Sequence, residues 1–185
     1  MSKVASILAD RLVSFGLDDK NRDVYEYALE CLLNSILAFG IILTVSAIIG
    51  RFAIALTWMM FFLPVRHTSG GLHAGSHIGC LALSLSIGIG CVLITPFLTD
   101  MIWFMIIGVI FSLIVIFLLA PVIHIDHPLS EQRIRKTRKT ARYIICIESC
   151  LVILFNFVLP SRISIAAVLG ILSATTSTLI GSIKK

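Results

Sequence analysis

Charge is what this sequence has least of. Asp, Glu, Lys and Arg make up 14% of its 185 residues, against about a quarter in a soluble globular domain. Apolar residues fill the deficit: they are 58% of the chain and gather in long uninterrupted runs. That combination argues against a soluble fold and for an integral membrane protein. A cleavable signal is missing too, because the first residues carry Lys3, Asp10 and Arg11 without a compact apolar core and a small-residue cleavage site. There is no internal repeat and no low-complexity segment. The cysteines are five, an odd number. Four of them (Cys31, Cys91, Cys146 and Cys150) sit inside apolar runs, which does not suit a disulfide framework. A cysteine in such a place mostly behaves as a small hydrophobe.

The net charge is +5. In a soluble protein that excess would suggest nucleic acid. Here the charges stand at the ends of apolar runs, where they orient a chain in a membrane, so no nucleic-acid partner is expected.

The chain begins with an amphipathic segment, residues 1–18. Val4, Ile7, Leu8, Leu12 and Phe15 recur at spacings of three and four, one face of a helix. A helix lying in the membrane interface fits this pattern, with an ordinary packed amphipathic helix as the alternative. Six apolar runs follow, over residues 24–49, 52–65, 78–98, 101–123, 143–159 and 163–183. The second is shorter than the roughly 20 residues a span needs. It is therefore short, tilted, or continued into the polar stretch behind it. The expectation is a single-domain, all-α integral membrane protein over residues 1–185, with six transmembrane helices plus an N-terminal interfacial helix.

Six crossings leave seven solvent segments, and basic residues orient them. On the side of the N-terminus lie Lys3, Arg11, Lys20 and Arg22, then Arg66, then six basic residues between 124 and 142, then Lys184 and Lys185. The opposite side holds only Arg51 and Arg162. Both termini are accordingly expected in the cytoplasm of a cell-membrane protein, together with the stretch 66–77 and the basic loop. That loop also suits contact with anionic lipid.

One polar stretch interrupts the apolar sequence: Arg66-His67-Thr68-Ser69-Gly70-Gly71-Leu72-His73-Ala74-Gly75-Ser76-His77-Ile78-Gly79-Cys80. It holds three of the five histidines, and Cys80 is the one cysteine beside polar chemistry. Polar groups at membrane depth are costly unless paired or wet, so the stretch calls for a function. A thiol peptidase needs a thiolate and a base that also protonates the leaving amine. Gly75, Ser76 and Gly79 suit a loop-to-helix transition, which would put Cys80 in the first turns of a helix. The helix dipole there favours the thiolate, and backbone N–H groups can hold an oxyanion. Gly70 and Gly71 allow a fold-back or a close backbone approach that brings His73 over Cys80. His77 shares a helical face with Cys80 at a spacing of three, and His67 lies farther off. Arg66 suits a phospholipid or a peptide carboxylate, or simply orients the chain. A zinc site on His73, His77 and Cys80 at i, i+4, i+7 is a competing arrangement. It lacks the H-E-x-x-H pattern, and two glycines interrupt its helix. No metal and no cofactor is expected.

Glu148, inside the fifth run, is the one unexplained intramembrane acid, and such a residue is a functional hypothesis by default. It is a candidate for orienting the base. The competing readings are a pairing with Arg142 and a position on the lipid-facing edge. Glu26 and Glu30, four apart on the first long run, are placed to meet the basic loop.

Arg66, Gly70-Gly71, His73 and Cys80, with the cysteine seven positions after the histidine, resemble the signature of the AgrB family (accessory gene regulator protein B). Ala120-Pro121-Val122, followed by Pro128-Leu129-Ser130 and a basic run, resembles it further, as do the size and the six apolar runs. These are membrane peptidases that mature quorum-sensing peptides. The resemblance implies Cys80 as nucleophile and His73 as base, with Arg66, Gly70, Gly71, Ser76, His77 and Glu148 as supporting or substrate-binding residues. It implies an AgrD-like propeptide as substrate, cut near its C-terminus through an acyl-enzyme thioester. An internal cysteine or serine then closes a thiolactone or lactone. It also implies a homodimer. Thioester exchange is nearly isoenergetic, and a water-poor site slows the competing hydrolysis. The turn His124-Ile125-Asp126-His127 departs from the lysine- or asparagine-rich turn often found in the family. The alternative class is a non-enzymatic small transporter or peptide-binding scaffold, suggested by six spans and Glu148. A transporter would more often show broken helices in symmetric positions, and none is evident.

Overall fold

The structure is a computed structural model and describes residues 2–16, 18–71, 77–99, 101–122 and 130–183. Among these residues every regular element is helical. The helices are α1 (Ser2–Ser14), α2 (Arg22–Ile48), α3 (Phe52–Ser69), α4 (His77–Ile94), α5 (Ile102–Leu119), α6 (Glu131–Val158) and α7 (Ser161–Ile183), with single 3-10 turns at Asp19–Asn21 and Thr95–Phe97. Helices α2, α4, α5, α6 and α7 are long and apolar enough to cross a membrane. This is the architecture of a multi-pass membrane protein. Helix α3 falls outside that set; its last turn is the polar Arg66-His67-Thr68-Ser69.

The helix ends differ from the apolar runs wherever polar residues are themselves good helix formers. Helix α6 starts at Glu131, not near Tyr143, so Arg133 to Arg142 form helical turns instead of a loop. Ser130 caps it, its hydroxyl accepting from the Arg133 N–H at 3.4 Å, and Glu131 faces Arg135 at 3.6 Å. Lys and Arg have high helix propensity, so they end an apolar run without ending the helix. In the other direction, α5 stops at Leu119, because Pro121 cannot continue it.

Helix α1 docks on the start of α2 through small and polar residues. Ala5 and Ala9 are fully buried, and Arg22 donates to Asp10 at 2.7 Å, Ser6 at 2.9 Å and Glu26 at 2.8 Å. Glu26 is thereby engaged on its own helix, not by the basic segment. Val4, Ile7 and Phe15 stay exposed. An apolar face left outward on a docked helix is what a helix in the membrane interface needs. At the opposite end of α2, Gly50 makes the turn into α3 with φ +70°. Arg51 then donates to the Val92 and Leu93 carbonyls at 3.3 Å each, satisfying acceptors at the end of α4.

The core is built on α3 and α7, which pack on each other more extensively than any other pair. Most of α7 from Ser164 to Ile171 is buried. Ala166, Gly170 and Ala174 recur every four residues along it, a small-residue stripe that lets helices approach closely where lipid offers no hydrophobic drive. At Gly170 the approach reaches backbone: a Cβ there would lie 2.5 Å from the Trp58 carbonyl oxygen and 3.0 Å from Phe61 Cβ. Trp58 stacks on Phe62 with ring centroids 4.9 Å apart and donates its indole N–H to Ser173 at 3.3 Å. Phe61 meets Phe155 of α6 edge to face at 5.6 Å. We expect Gly170→Leu to cost about 1–3 kcal/mol through overpacking, read as a lowered melting temperature in detergent; an unchanged melting temperature would show that the close approach is not what holds α3 to α7.

Candidate active site at the end of helix α3

The polar turn that closes α3 is held from three directions. Ser69, the last helical residue, is buried; its hydroxyl lies 2.7 Å from the Val65 carbonyl and 2.7 Å from the Thr178 hydroxyl of α7. Thr178 also lies 3.2 Å from the Gly70 carbonyl oxygen. The segment after α5 closes the third side: the Val122 N–H donates to the Ser69 carbonyl at 2.9 Å. Gly70 has φ +71°, a conformation that favours glycine, and a Cβ there would sit 2.6 Å from the Val122 carbonyl oxygen. Gly71 has φ +146°, and a Cβ on it would run into the Arg66 guanidinium and lie 2.8 Å from the Ser177 hydroxyl. Both glycines are therefore required by close approach, and Arg66 folds back over the turn it precedes.

Cys80 is the fourth residue of α4, in the helix's first turn, and is half-buried. Arg66 lies within electrostatic range of Cys80. Helix α2 contributes Cys31, also within electrostatic range of Cys80, with Tyr27 hydrogen-bonded to the Cys31 thiol. The other cysteines differ. Cys91 faces the Ser173 hydroxyl at 3.4 Å, inside the α3–α7 core network, and Cys146 and Cys150 are exposed along α6.

Of the residues expected from sequence, the structure groups Arg66, Gly70, Gly71 and Cys80. His73, Ser76 and the side chain of His77 lie outside the described residues, as do His124, Asp126 and His127. The zinc arrangement, which needs His73 and His77, falls outside them as well. Glu148 stands elsewhere, buried on the wall of a groove between α3 and α6. The expected alternatives for it do not hold: it is 6% exposed, so it is not a lipid-facing edge residue, and Arg142 turns to α5 instead. Arg142 donates to the Phe117 carbonyl at 2.9 Å and lies over the Phe117 ring at 5.1 Å.

The profile of the accessory gene regulator B family matches residues 2–179. The chain belongs to that family. No curated protein and no solved structure matches it. Family membership places the chain in the processing of accessory gene regulator autoinducers, with an AgrD-type propeptide as the implied partner.

Sequence reasoning passed over Ser69, Ser177 and Thr178, the residues that pin the Gly70-Gly71 turn. One signal was available: residues 173–178 place five hydroxyl side chains within six positions of an otherwise apolar helix. Thr178→Val removes the hydroxyl at nearly constant volume and takes one hydrogen-bond partner each from the Gly70 carbonyl and the Ser69 hydroxyl. The expected cost is about 1–2 kcal/mol, measured by thermal unfolding in detergent; a variant as stable as the parent would mean the turn is not held from α7.

Proposed function

We propose that this AgrB-family chain is a membrane-embedded cysteine endopeptidase that removes the C-terminal tail of a quorum-sensing propeptide and promotes closure of the peptide ring. The observation that carries the reading is the position of Cys80, in the first turn of α4 and within range of Arg66 from the closing turn of α3. A thiolate is the competent nucleophile of such a peptidase. None of the other cysteines has that combination among the described residues.

In the proposed reaction the Cys80 thiolate attacks the carbonyl carbon of the scissile peptide bond. Backbone N–H groups at the start of α4 receive the developing oxyanion. His73 gives its proton to the departing amine, and a thioester joins the propeptide's N-terminal part to Cys80. An internal thiol or hydroxyl of the propeptide, deprotonated by His73, then attacks the thioester. The ring forms and Cys80 leaves as thiolate. Arg66 has a second use here, as a partner for a carboxylate of the propeptide tail. The Gly70-Gly71 turn fixes where the stretch carrying His73 begins.

Helix α3 is in this reading the sixth crossing, its polar last turn reaching the interface. Both termini and Cys80 then lie on the cytoplasmic side, as the distribution of basic residues supports. Dimerisation belongs to the same reading through the family resemblance.

Alanine at Cys80 should abolish propeptide cleavage, by about a thousandfold or more, and alanine at His73 should lower it by about 10²–10⁴-fold, with both variants inserted normally. The measurement is processing of an epitope-tagged propeptide in membranes. In the same membranes a membrane-impermeant maleimide should reach Cys80 from the cytoplasmic face alone. Cleavage that persists in Cys80→Ala would end the peptidase reading, and labelling from the outer face would end the topology.

A further inference from the structure

The groove between α3 and α6 encloses about 500 Å³ and is apolar apart from Glu148 and Thr57. That volume is within the range of ligand sites, roughly 300–1,000 Å³. Phe61 and Phe155, in edge-to-face contact, form part of its lining. Met60, Ile147 and Leu151 line it and are exposed, so it opens sideways from the bundle. Glu148 is 6% exposed, and its Oε2 is buried without a hydrogen-bond partner. The arginine nearest in sequence is committed to Phe117. Pro64, also in the lining, has no N–H to give the Met60 carbonyl four residues earlier. The groove thus presents a buried carboxyl oxygen in apolar surroundings, with no donor meeting it among the described residues.

A buried carboxyl without a partner is costly, and a protein keeps one where something else completes it. What completes this one must bring an apolar body and a cationic donor. Pro64, in the groove's lining, precedes Arg66 by two residues, about 3 Å of helix rise, so the groove lies just below the level of the candidate active site along α3. The geometry points to the α3–α6 groove as the docking site for a basic amphipathic segment of the propeptide, with one Lys or Arg side chain meeting Glu148. Naming the propeptide as occupant rests on the peptidase reading; the cation-selective groove does not.

The test uses the full chain with the photoreactive residue p-benzoylphenylalanine in place of Leu151, reconstituted in phosphatidylcholine vesicles. The probes are labelled 20-residue leucine–alanine helices that differ at one position: lysine, glutamine or glutamate. The lysine probe should cross-link at least tenfold more than the other two, and Glu148→Gln should erase the difference. Cys80→Ala should leave the preference intact, so failure of the peptidase chemistry and failure of the groove are read separately. Equal cross-linking of the three probes overturns the proposal, as does a lysine preference that survives Glu148→Gln. If phosphatidylethanolamine added to the vesicles displaces the lysine probe in a Glu148-dependent way, the carboxyl serves a lipid amine and the peptide assignment falls. Should Glu148→Gln fail to insert, the three probes on the protein with native Glu148 decide alone.

Discussion

The approach of α7 to α3 is the constraint on which the rest of the structure depends. At Gly170 the two helices come within backbone contact, and no side chain fits between them. In a membrane, where lipid is as apolar as leucine, such closeness comes from dispersion contacts and small residues, not from water exclusion. The same helix then carries its hydroxyl residues to the level where α3 ends. Ser177 and Thr178 reach the turn at Gly70 and Gly71 because Gly170, two turns earlier, sets the distance between the axes. Packing in the middle of the bundle thus fixes the polar turn at its end, and with it the position of Arg66 against the first turn of α4.

The candidate site is a set of polar groups gathered at helix ends, where they cost least. Arg66 is in the last turn of α3 and Cys80 in the first turn of α4, so the two helix ends bring the cation within electrostatic range of the cysteine. Glu148 follows different rules. It sits within the apolar half of α6, is buried, and is answered by no side chain among the described residues. Two polar investments at different depths of one molecule suit a substrate that is held in one place and cut in another.

Much of this was legible in the sequence, for identifiable reasons. Long apolar runs announce helices, and those that became α2, α4, α5 and α7 are close to the helices observed. Helix α6 was legible only in its second half, because an apolar-run criterion is blind to a helix of lysines and arginines capped by Ser130. The count of six crossings rested partly on α3, whose final turn is too polar for the same criterion to register. The cluster of Arg66, Gly70-Gly71 and Cys80 was legible because its residue types are out of place in an oily chain. What held it was not. Ser69 and Thr178 are 109 positions apart, and nothing local to either reveals the other. Glu148 drew notice as an acid in an apolar run, yet its surroundings depend on how α6 rotates against α3, and that same rotation sends Arg142 to Phe117.

The central claim is that Cys80 becomes covalently acylated by a propeptide. Intact-mass measurement of the protein, quenched with acid soon after mixing with propeptide, addresses it directly. The account predicts an adduct equal in mass to the propeptide's N-terminal part, mapped to Cys80 and released by neutral hydroxylamine, as a thioester is. Cleaved peptide without any adduct on Cys80, or an adduct mapped to Cys31 or Cys146, would contradict it.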